Sequence, residues 1–170
     1  MTAGKRAAVP AAARAGATRL DDSLFFKLVR VVNLTARPFN EGIGRRHDLS
    51  LSDWRVMMVL GSHPGTTASE VCQRSGMDKM SVSRAIAALA RRRRVTRKPD
   101  PADGRRTLVW LSSAGQRVFE ELSVSARERE RQVFRGVGAQ EQARLGETLD
   151  RLIDALRAAD AGAGGTTGDG

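Results

Sequence analysis

Two helix-start signals separated by one glycine-containing turn constrain the fold of this chain most strongly. Thr67 is followed three residues later by Glu70, a capping box in which each side chain satisfies a backbone N–H of the other. The helix that begins there is short, because the turn at 74–77 ends it. A second helix starts near Asp78 and runs to about Arg92. This order of elements predicts a helix-turn-helix.

The second of these helices has two chemically different faces. Val82, Ile86 and Leu89 share one side at helical spacing, so this side is expected to face the core. The opposite side, with its flanks, is basic, hydroxyl-bearing and small: Met80, Ser81, Ser83, Arg84, Ala87, Ala88 and Arg91. A helix that enters a DNA major groove about 12 Å wide needs such a face. An ordinary solvated helix surface explains this feature, taken alone, equally well.

A β-hairpin is predicted directly after this helix. Two β-prone runs, 95–98 and 105–111, flank the Pro-, Asp- and Gly-rich segment 99–104. We expect Arg105 near the hairpin tip to enter a minor groove, where the negative potential is strongest. Asp103 is expected to orient the Arg105 guanidinium, or to serve only as a turn residue.

The positive charge of the chain is concentrated in this helix-plus-hairpin unit. The whole chain has 29 Lys and Arg against 19 Asp and Glu, a net charge of +10. The segment 79–106 alone has ten basic and two acidic residues. Such a concentration is typical of a surface that neutralises phosphates and releases counterions. The predicted DNA-binding residues are Lys79, Ser81, Ser83, Arg84, Arg91, Arg97, Lys98, Asp103, Arg105 and Arg106.

Other functional classes find little support in the residues. The two histidines, His47 and His63, do not have metal-ligand spacing, and neither a phosphate-binding loop nor a nucleophile turn is present. We therefore expect no enzyme activity, metal or cofactor. No apolar run approaches the length of a membrane span, and the single cysteine, Cys72, fits a reducing cytoplasm. A sequence-indifferent architectural DNA-binding protein remains the alternative.

The remaining segments predict a mostly α-helical fold with a small β wing. A winged helix-turn-helix lobe at about 51–112 is expected beside a dimerisation lobe formed by helices at about 21–46 and 113–158. The last helix has an apolar stripe, Leu145, Leu149, Leu152, Ile153 and Leu156, which predicts dimer contacts, although packing within one chain stays open. Helix caps are predicted at residues 21–23, at Ser52 and in a Ser113–Gln116 capping box. Together these elements form a domain at 21–158, and the tails 1–20 and 159–170 are expected to be disordered.

The stretch 49–121 resembles the MarR family of bacterial regulators. The matching segments are LSDWRV at 51–56, MDKMSVSRAI at 77–86, VTRKPDPADGR at 95–105 and LSSAG at 111–115. The Asp-x-Arg of Asp103 and Arg105 is the most specific of these. One departure concerns Arg93 and Arg94, because the family usually has glycine and an apolar residue there. Without the glycine cap, the helix is expected to continue or to end with strain.

The resemblance implies a homodimer that represses transcription from a pseudo-palindromic operator in double-stranded DNA. It implies base or phosphate contacts by Ser81, Ser83 and Arg84 and a wing contact by Arg105. It also implies an effector, commonly a small aromatic acid or phenol, bound between the two lobes. The candidate ligand residues are Asn33, Arg37, Phe39, His47, Trp54 and Arg55. The alternative is that Trp54 belongs to the core and the others are solvated.

Overall fold

The computed structural model describes residues 19–163, so most of both predicted tails lies outside the described residues. A 3-10 turn at Leu20–Asp22 is followed by helices and strands in one order along the chain. These elements are α1 (Leu24–Glu41), α2 (Ile43–Arg46), α3 (Leu51–Ser62), β1 (Thr66–Thr67), α4 (Ala68–Ser75), α5 (Lys79–Arg91), β2 (Val95–Pro99), β3 (Thr107–Leu111), α6 (Ser113–Val133) and α7 (Ala139–Ala163). The described chain forms two compact units that divide between Phe119 and Glu120.

Side-chain caps start the helices of the first unit. Ser23 accepts a hydrogen bond from the Phe26 N–H and starts α1, which confirms the cap predicted at 21–23. Helix α1 continues through Pro38 instead of ending there. The cap of α3 is Ser50, in a capping box with Asp53, so the prediction of Ser52 was wrong by two residues. Both serines are good cap types, and the reciprocal bond, in which Asp53 Oδ2 accepts from the Ser50 N–H, selects Ser50.

The helix-turn-helix is confirmed by α4 and α5. Thr67 and Glu70 form the predicted capping box, and Gly76 ends α4 in the left-handed conformation with φ +67°. Such a φ strains any residue with a Cβ, which explains the glycine at this turn. Asp78 then starts α5 by accepting from the Ser81 N–H at 2.8 Å.

The hairpin of β2 and β3 is confirmed, and the structure extends it to a three-stranded antiparallel sheet of order β1-β3-β2. Val95 pairs with Leu111 at one end of the hairpin and Pro99 pairs with Thr107 at the other. Strand β1 was not predicted, because a two-residue strand is too short to show an alternating pattern.

Apolar side chains of α3, α4, α5 and the sheet form the core of the first unit. Val56, Val71, Val82 and Leu89 are all completely buried there. Gly61 of α3 allows the Phe119 ring to approach closely, since a Cβ at Gly61 would lie 2.5 Å from that ring. This packing positions α5 with its apolar stripe inward.

The second unit begins within α6 and contains α7. The side chain that caps α6 is Ser112, which accepts from the Gly115 N–H at 3.0 Å, so the predicted capping box at Ser113 was displaced by one residue. Helix α7 ends at Ala163, five residues beyond the predicted boundary at 158, so disorder from 159 onwards was wrong as far as 163.

The end of α5 is strained at Arg93. Helix α5 stops at Arg91, and Arg93 adopts φ +54°, in the left-handed region that favours glycine. Of the two outcomes expected from the missing glycine cap, the structure shows the strained end. For an L-residue this conformation costs roughly 1–2 kcal/mol.

Replacing Arg93 by glycine is expected to stabilise the chain. Arg93→Gly removes the Cβ strain and should raise the free energy of unfolding by about 1 kcal/mol, after the larger unfolded-state entropy of glycine is subtracted. Urea denaturation followed by circular dichroism measures this change. Arg91→Gly, inside the helix, is the control and should lower the free energy of unfolding by about 1 kcal/mol. An unfolding midpoint of Arg93→Gly at or below the wild-type value contradicts the strain assignment.

Candidate nucleic-acid interface

The exposed face of α5 contains the residues that the sequence analysis assigned to DNA. Val82, Ala85, Ile86 and Leu89 are buried, as predicted. On the outer side, the side chains of Lys79, Ser83, Arg84 and Arg91 are exposed, and Ser81 is half-buried. Burial of one stripe therefore leaves a basic and hydroxyl-bearing face toward solvent.

Arg84 lies near the middle of this face without a carboxylate partner among residues 19–163. Its recorded contact is a long hydrogen bond from Nη2 to Ser81 Oγ at 3.5 Å. The Asp78 carboxylate binds the Ser81 backbone and side chain instead, and these hydrogen bonds hold the pKa of Asp78 below its ordinary value. The N–H donors of Arg84 that do not bind Ser81 are therefore open to a ligand.

Backbone hydrogen bonds fold the wing tip into a defined loop. Asp100 N–H donates to Arg106 C=O, and Arg106 N–H donates to Asp103 C=O, both at 2.9 Å. Asp103 Oδ1 accepts from the backbone N–H of Arg105 at 3.0 Å. Asp103 therefore holds the turn, as in its alternative interpretation, and within the described chain it makes no recorded contact with the Arg105 guanidinium. The exposed guanidinium of Arg105 has no recorded ion pair with the residues that the structure describes.

Arg106 differs from Arg105 because two carboxylates hold it. Its Nη2 lies 3.1 Å from Glu70 Oε1, and its Nε lies 3.7 Å from Asp100 Oδ2. Glu70 also accepts from the Thr67 N–H, and this bond is the main reason that the pKa of Glu70 is lowered. Arg106 therefore links the wing to the start of α4 through ion pairs, and its predicted contact with DNA stays a prediction.

The remaining basic residues of the wing lie on β2. Arg97 and Lys98 are exposed, and Lys98 Nζ lies 5.9 Å from the centre of the Trp110 ring. A small cavity of about 180 Å³ between α5 and the sheet has both Ser83 and Arg97 in its lining. The fold therefore brings these two predicted DNA-binding residues together.

A larger groove of about 760 Å³ runs between α5 and the start of α3. It brings Ser81, Arg84 and Arg91 of the predicted set together with residues that the sequence analysis did not assign to DNA: Arg45, Asp48, Ser50, Ser52, Asp53 and Arg92. The basic run at 45–47 indicated a positive surface, but it is remote from α5 in the sequence. The presence of Arg45 in the same groove as α5 could therefore not be predicted. Its several guanidinium groups make the groove suitable for binding an anion.

The candidate ligand residues do not line this groove or the smaller cavity. Trp54 is 8% exposed and stacks on Phe39, with ring centres 6.3 Å apart. The centre of the Trp54 ring also lies 5.9 Å from the centre of the Phe119 ring. Trp54 is therefore a core residue, as in the alternative interpretation. Asn33 and Arg37 are exposed on α1, and His47 and Arg55 are half-buried.

Two other kinds of site are absent from residues 19–163. No helix in this range combines the length and the apolar composition that crossing a bilayer requires. The same residues contain no group of three or more His, Cys, Asp or Glu side chains that could hold a metal ion.

Comparisons with known proteins agree with this geometry. Residues 47–106 match a model of the MarR family. The chain is 24% identical over 138 residues to the HTH-type transcriptional repressor IacR of Pseudomonas putida, covering 81% of this chain and 82% of the relative. It is 34% identical to a solved probable transcriptional regulator from Pseudomonas aeruginosa, with a TM-score of 0.66 and coverage of 79% and 99% of the two chains.

A further solved structure shares the fold at lower identity. It is Bordetella bronchiseptica BpsR, whose DNA binding is regulated by 6-hydroxynicotinic acid, with 22% identity and a TM-score of 0.72 over 82% of this chain and 99% of that one. With the helix-turn-helix, the wing and these matches in agreement, the chain belongs to the MarR family of winged helix-turn-helix transcriptional regulators, which bind DNA and are not enzymes.

Proposed function

We propose that the chain is a cytoplasmic, sequence-specific repressor that binds a pseudo-palindromic operator as a homodimer and is released by a small aromatic acid or phenol. The observation that carries the DNA-reading part is the contrast in ion pairing on the basic surface. Arg84 on α5 and Arg105 on the wing are exposed without carboxylate partners among the described residues, whereas Arg92 and Arg106 are paired. Unpaired guanidinium groups on rigid elements are the donors that DNA requires.

Helix α5 has the dimensions and the surface of a recognition helix. Its 13 residues span about 20 Å, and the small side chains of Ala87 and Ala88 permit close approach to a major groove. Arg84 is positioned to donate two hydrogen bonds to one guanine, which is the commonest specific contact of arginine with DNA. Ser81, Ser83 and Lys79 flank this position and suit phosphates or base edges.

The wing and the groove supply contacts on either side of α5. At the wing tip, which the ion pairs of Arg106 connect to α4, Arg105 suits the minor groove of DNA. Arg97 and Lys98 on β2 suit the phosphate backbone of the DNA. In the groove, Arg45 and Arg91 lie in the lining together with Ser50 and Ser52 at the start of α3, where the helix dipole adds a positive partial charge. We expect a DNA phosphate to bind beside these arginines, because the side chains and the helix end attract the same anion.

The apolar surface outside the core supports a dimer. Leu24 and Phe25 of α1 are 80% and 77% exposed, and Leu156 of α7 is 67% exposed. The stripe of α7 predicted from the sequence is exposed in each member: Leu145, Leu149, Leu152, Ile153 and Leu156. A monomer seldom leaves so many large apolar side chains in water, so a second copy is the occupant that we propose for them.

The effector part of the proposal is supported by the relatives. BpsR responds to a hydroxylated heteroaromatic acid, and IacR is a repressor. In this chain, Arg37 and Arg55 are the candidate partners of a carboxylate, and Asn33 and His47 are the candidate hydrogen-bonding groups. Trp54 is stacked on Phe39, so we expect it to support the ligand site through this aromatic cluster rather than to stack directly on the ligand.

Removal of either unpaired arginine should weaken DNA binding. Arg84→Ala and Arg105→Ala should each cost roughly 1–3 kcal/mol in binding to a duplex that the protein selects from a randomised pool. Fluorescence anisotropy against that duplex and a scrambled duplex of equal length measures both affinity and specificity. Arg30→Ala, an exposed arginine on α1, is the control and should bind as wild type does. Equal wild-type affinity for the two duplexes indicates the sequence-indifferent architectural protein instead.

Polar substitution of the α7 stripe should separate the dimer. The triple variant Leu149→Gln, Leu152→Gln, Leu156→Gln keeps helix-forming residues but removes apolar area, so sedimentation should show a shift to monomer. Glu147→Gln, Asp150→Asn and Arg151→Gln together are the matched control on the same helix and should stay dimeric. A dimeric triple-glutamine variant rules out this interface.

A small aromatic acid should dissociate the complex with DNA. In a panel of hydroxybenzoates and hydroxynicotinates, at least one compound should raise the melting temperature and lower affinity for the selected duplex, since it binds the released state better. Arg37→Ala or Arg55→Ala should abolish the response, while Arg30→Ala should retain it. A panel in which no compound changes either quantity contradicts the effector class.

A further inference from the structure

Side chains join the end of α5 to the loop that precedes α3. The Arg92 Nε–H donates to Asp48 Oδ2 at 2.7 Å, and Arg92 Nη1 lies 3.9 Å from Asp53 Oδ2. Two residues later, the Arg94 guanidinium donates a hydrogen bond to the carbonyl oxygen of His47. These contacts cross 44 and 47 residues of sequence, so no local element imposes them. We call this group of five residues, His47, Asp48, Asp53, Arg92 and Arg94, the clasp.

The backbone is strained on both sides of the clasp. Asp48 has φ +49° and Arg93 has φ +54°, and they are the non-glycine residues with positive φ in the described chain. Such conformations persist where surrounding contacts hold them, and they cluster at functional positions. Here a strained residue in the loop and a strained residue after α5 lie beside the same ion pair.

Residues at the start of α6 hold the backbone of Arg93 and Arg94 from the other side. Ser112 Oγ–H donates to Arg93 C=O at 2.7 Å, and Ser112 N–H donates to Arg94 C=O at 2.9 Å. Gly115 also packs against this peptide, since a Cβ at Gly115 would lie 2.0 Å from the Arg94 carbonyl oxygen. The point where α5 turns into the wing is therefore held from the α3 side by the clasp and from the α6 side by the Ser112 hydrogen bonds and the close approach of Gly115.

The negative charge of Asp48 is unfavourable for DNA binding. A positioning role explains why a carboxylate stands in this groove nevertheless. Its carboxylate lines the groove that also contains Arg45, Arg84 and Arg91, where it repels a phosphate. The hydrogen bond from Arg92 holds the pKa of Asp48 below its ordinary value, so the repelling charge is present at neutral pH. The same bond raises the pKa of Arg92, while burial lowers that of Arg94.

We propose that Asp48 is a positioning residue for DNA recognition, which acts through Arg92 to set the end of α5 and the start of the wing. The inference rests on the proposed DNA-reading role of α5 and the wing. Through the clasp, the loop between α2 and α3 determines the direction in which Arg84 and Arg105 are presented. Specific binding needs that direction, whereas attraction to phosphates in general does not.

The isosteric variant Asp48→Asn distinguishes position from charge. Asparagine tolerates positive φ and keeps the shape, but it removes the repelling charge and weakens the bond to Arg92. If only charge matters, Asp48→Asn binds every duplex more tightly. The proposal expects the opposite for the selected duplex, a loss of about tenfold, while affinity for the scrambled duplex stays equal or rises.

Arg92→Lys tests the partner without changing net charge. Lysine lacks the planar fork that lets Arg92 reach Asp48 and Asp53 together. Affinity for the selected duplex should fall and affinity for the scrambled duplex should stay unchanged. In the double variant Asp48→Asn, Arg92→Lys, the loss should be clearly smaller than the product of the two single losses, because both remove one interaction.

Amide hydrogen exchange provides a readout that does not involve DNA. The Arg94 N–H, bonded to Leu89 C=O at 2.9 Å, should exchange faster in Asp48→Asn than in wild type. Asp160→Asn, an exposed isosteric change on α7, is the control and should alter neither exchange nor binding.

The outcomes separate this inference from the proposed function. Wild-type binding that prefers no selected duplex refutes DNA reading, and the positioning role with it. A wild type that does select a duplex, with an Asp48→Asn variant that binds this duplex equally or more tightly, overturns the positioning role alone. Losses that simply multiply in the double variant overturn it as well.

Discussion

Burial of the apolar stripe of α5 is the constraint on which the rest of the structure depends. Val82 and Leu89 are completely buried and Ile86 is 4% exposed, so the rotation of the helix about its axis is determined by the core. A rotation that exposed these three side chains would cost several kcal/mol of apolar burial. The side of α5 on which Arg84 and Arg91 lie follows from that cost, and we propose that the clasp then sets how the end of this helix is oriented toward the wing.

Ion pairing divides the basic residues into two groups with different roles. Arg92 donates to Asp48, Arg94 to the His47 carbonyl and Arg106 to Glu70. These contacts connect the helices to one another and to the wing. Arg84 and Arg105 have no such carboxylate partners among residues 19–163. The first group connects segments that are remote in the sequence and the second leaves charged groups exposed, and we propose that recognition of DNA uses both.

Local features were predictable from the sequence because they act over three or four residues. The capping box of Thr67 and Glu70, the glycine turn at Gly76 and the buried stripe of α5 were all predicted correctly. Errors occurred where neighbouring residues had equal propensity, as at Ser50 and Ser112, which replaced Ser52 and Ser113 as caps. Trp54 was left open, since an aromatic residue suits a core and a ligand site equally.

The sequence by itself determined the helix-turn-helix, the hairpin, the concentration of charge and the resemblance to a family of regulators. Only the tertiary structure decided which arginines are paired and which remain unpaired. The partners of the paired arginines are remote in the sequence: Glu70 lies 36 residues from Arg106, Asp48 lies 44 from Arg92 and His47 lies 47 from Arg94. It also decided that Arg93 is strained and that Asp103 holds a backbone N–H rather than a guanidinium. The physical reason is that an ion pair depends on distance in space, and distances between remote segments are set by packing of the core.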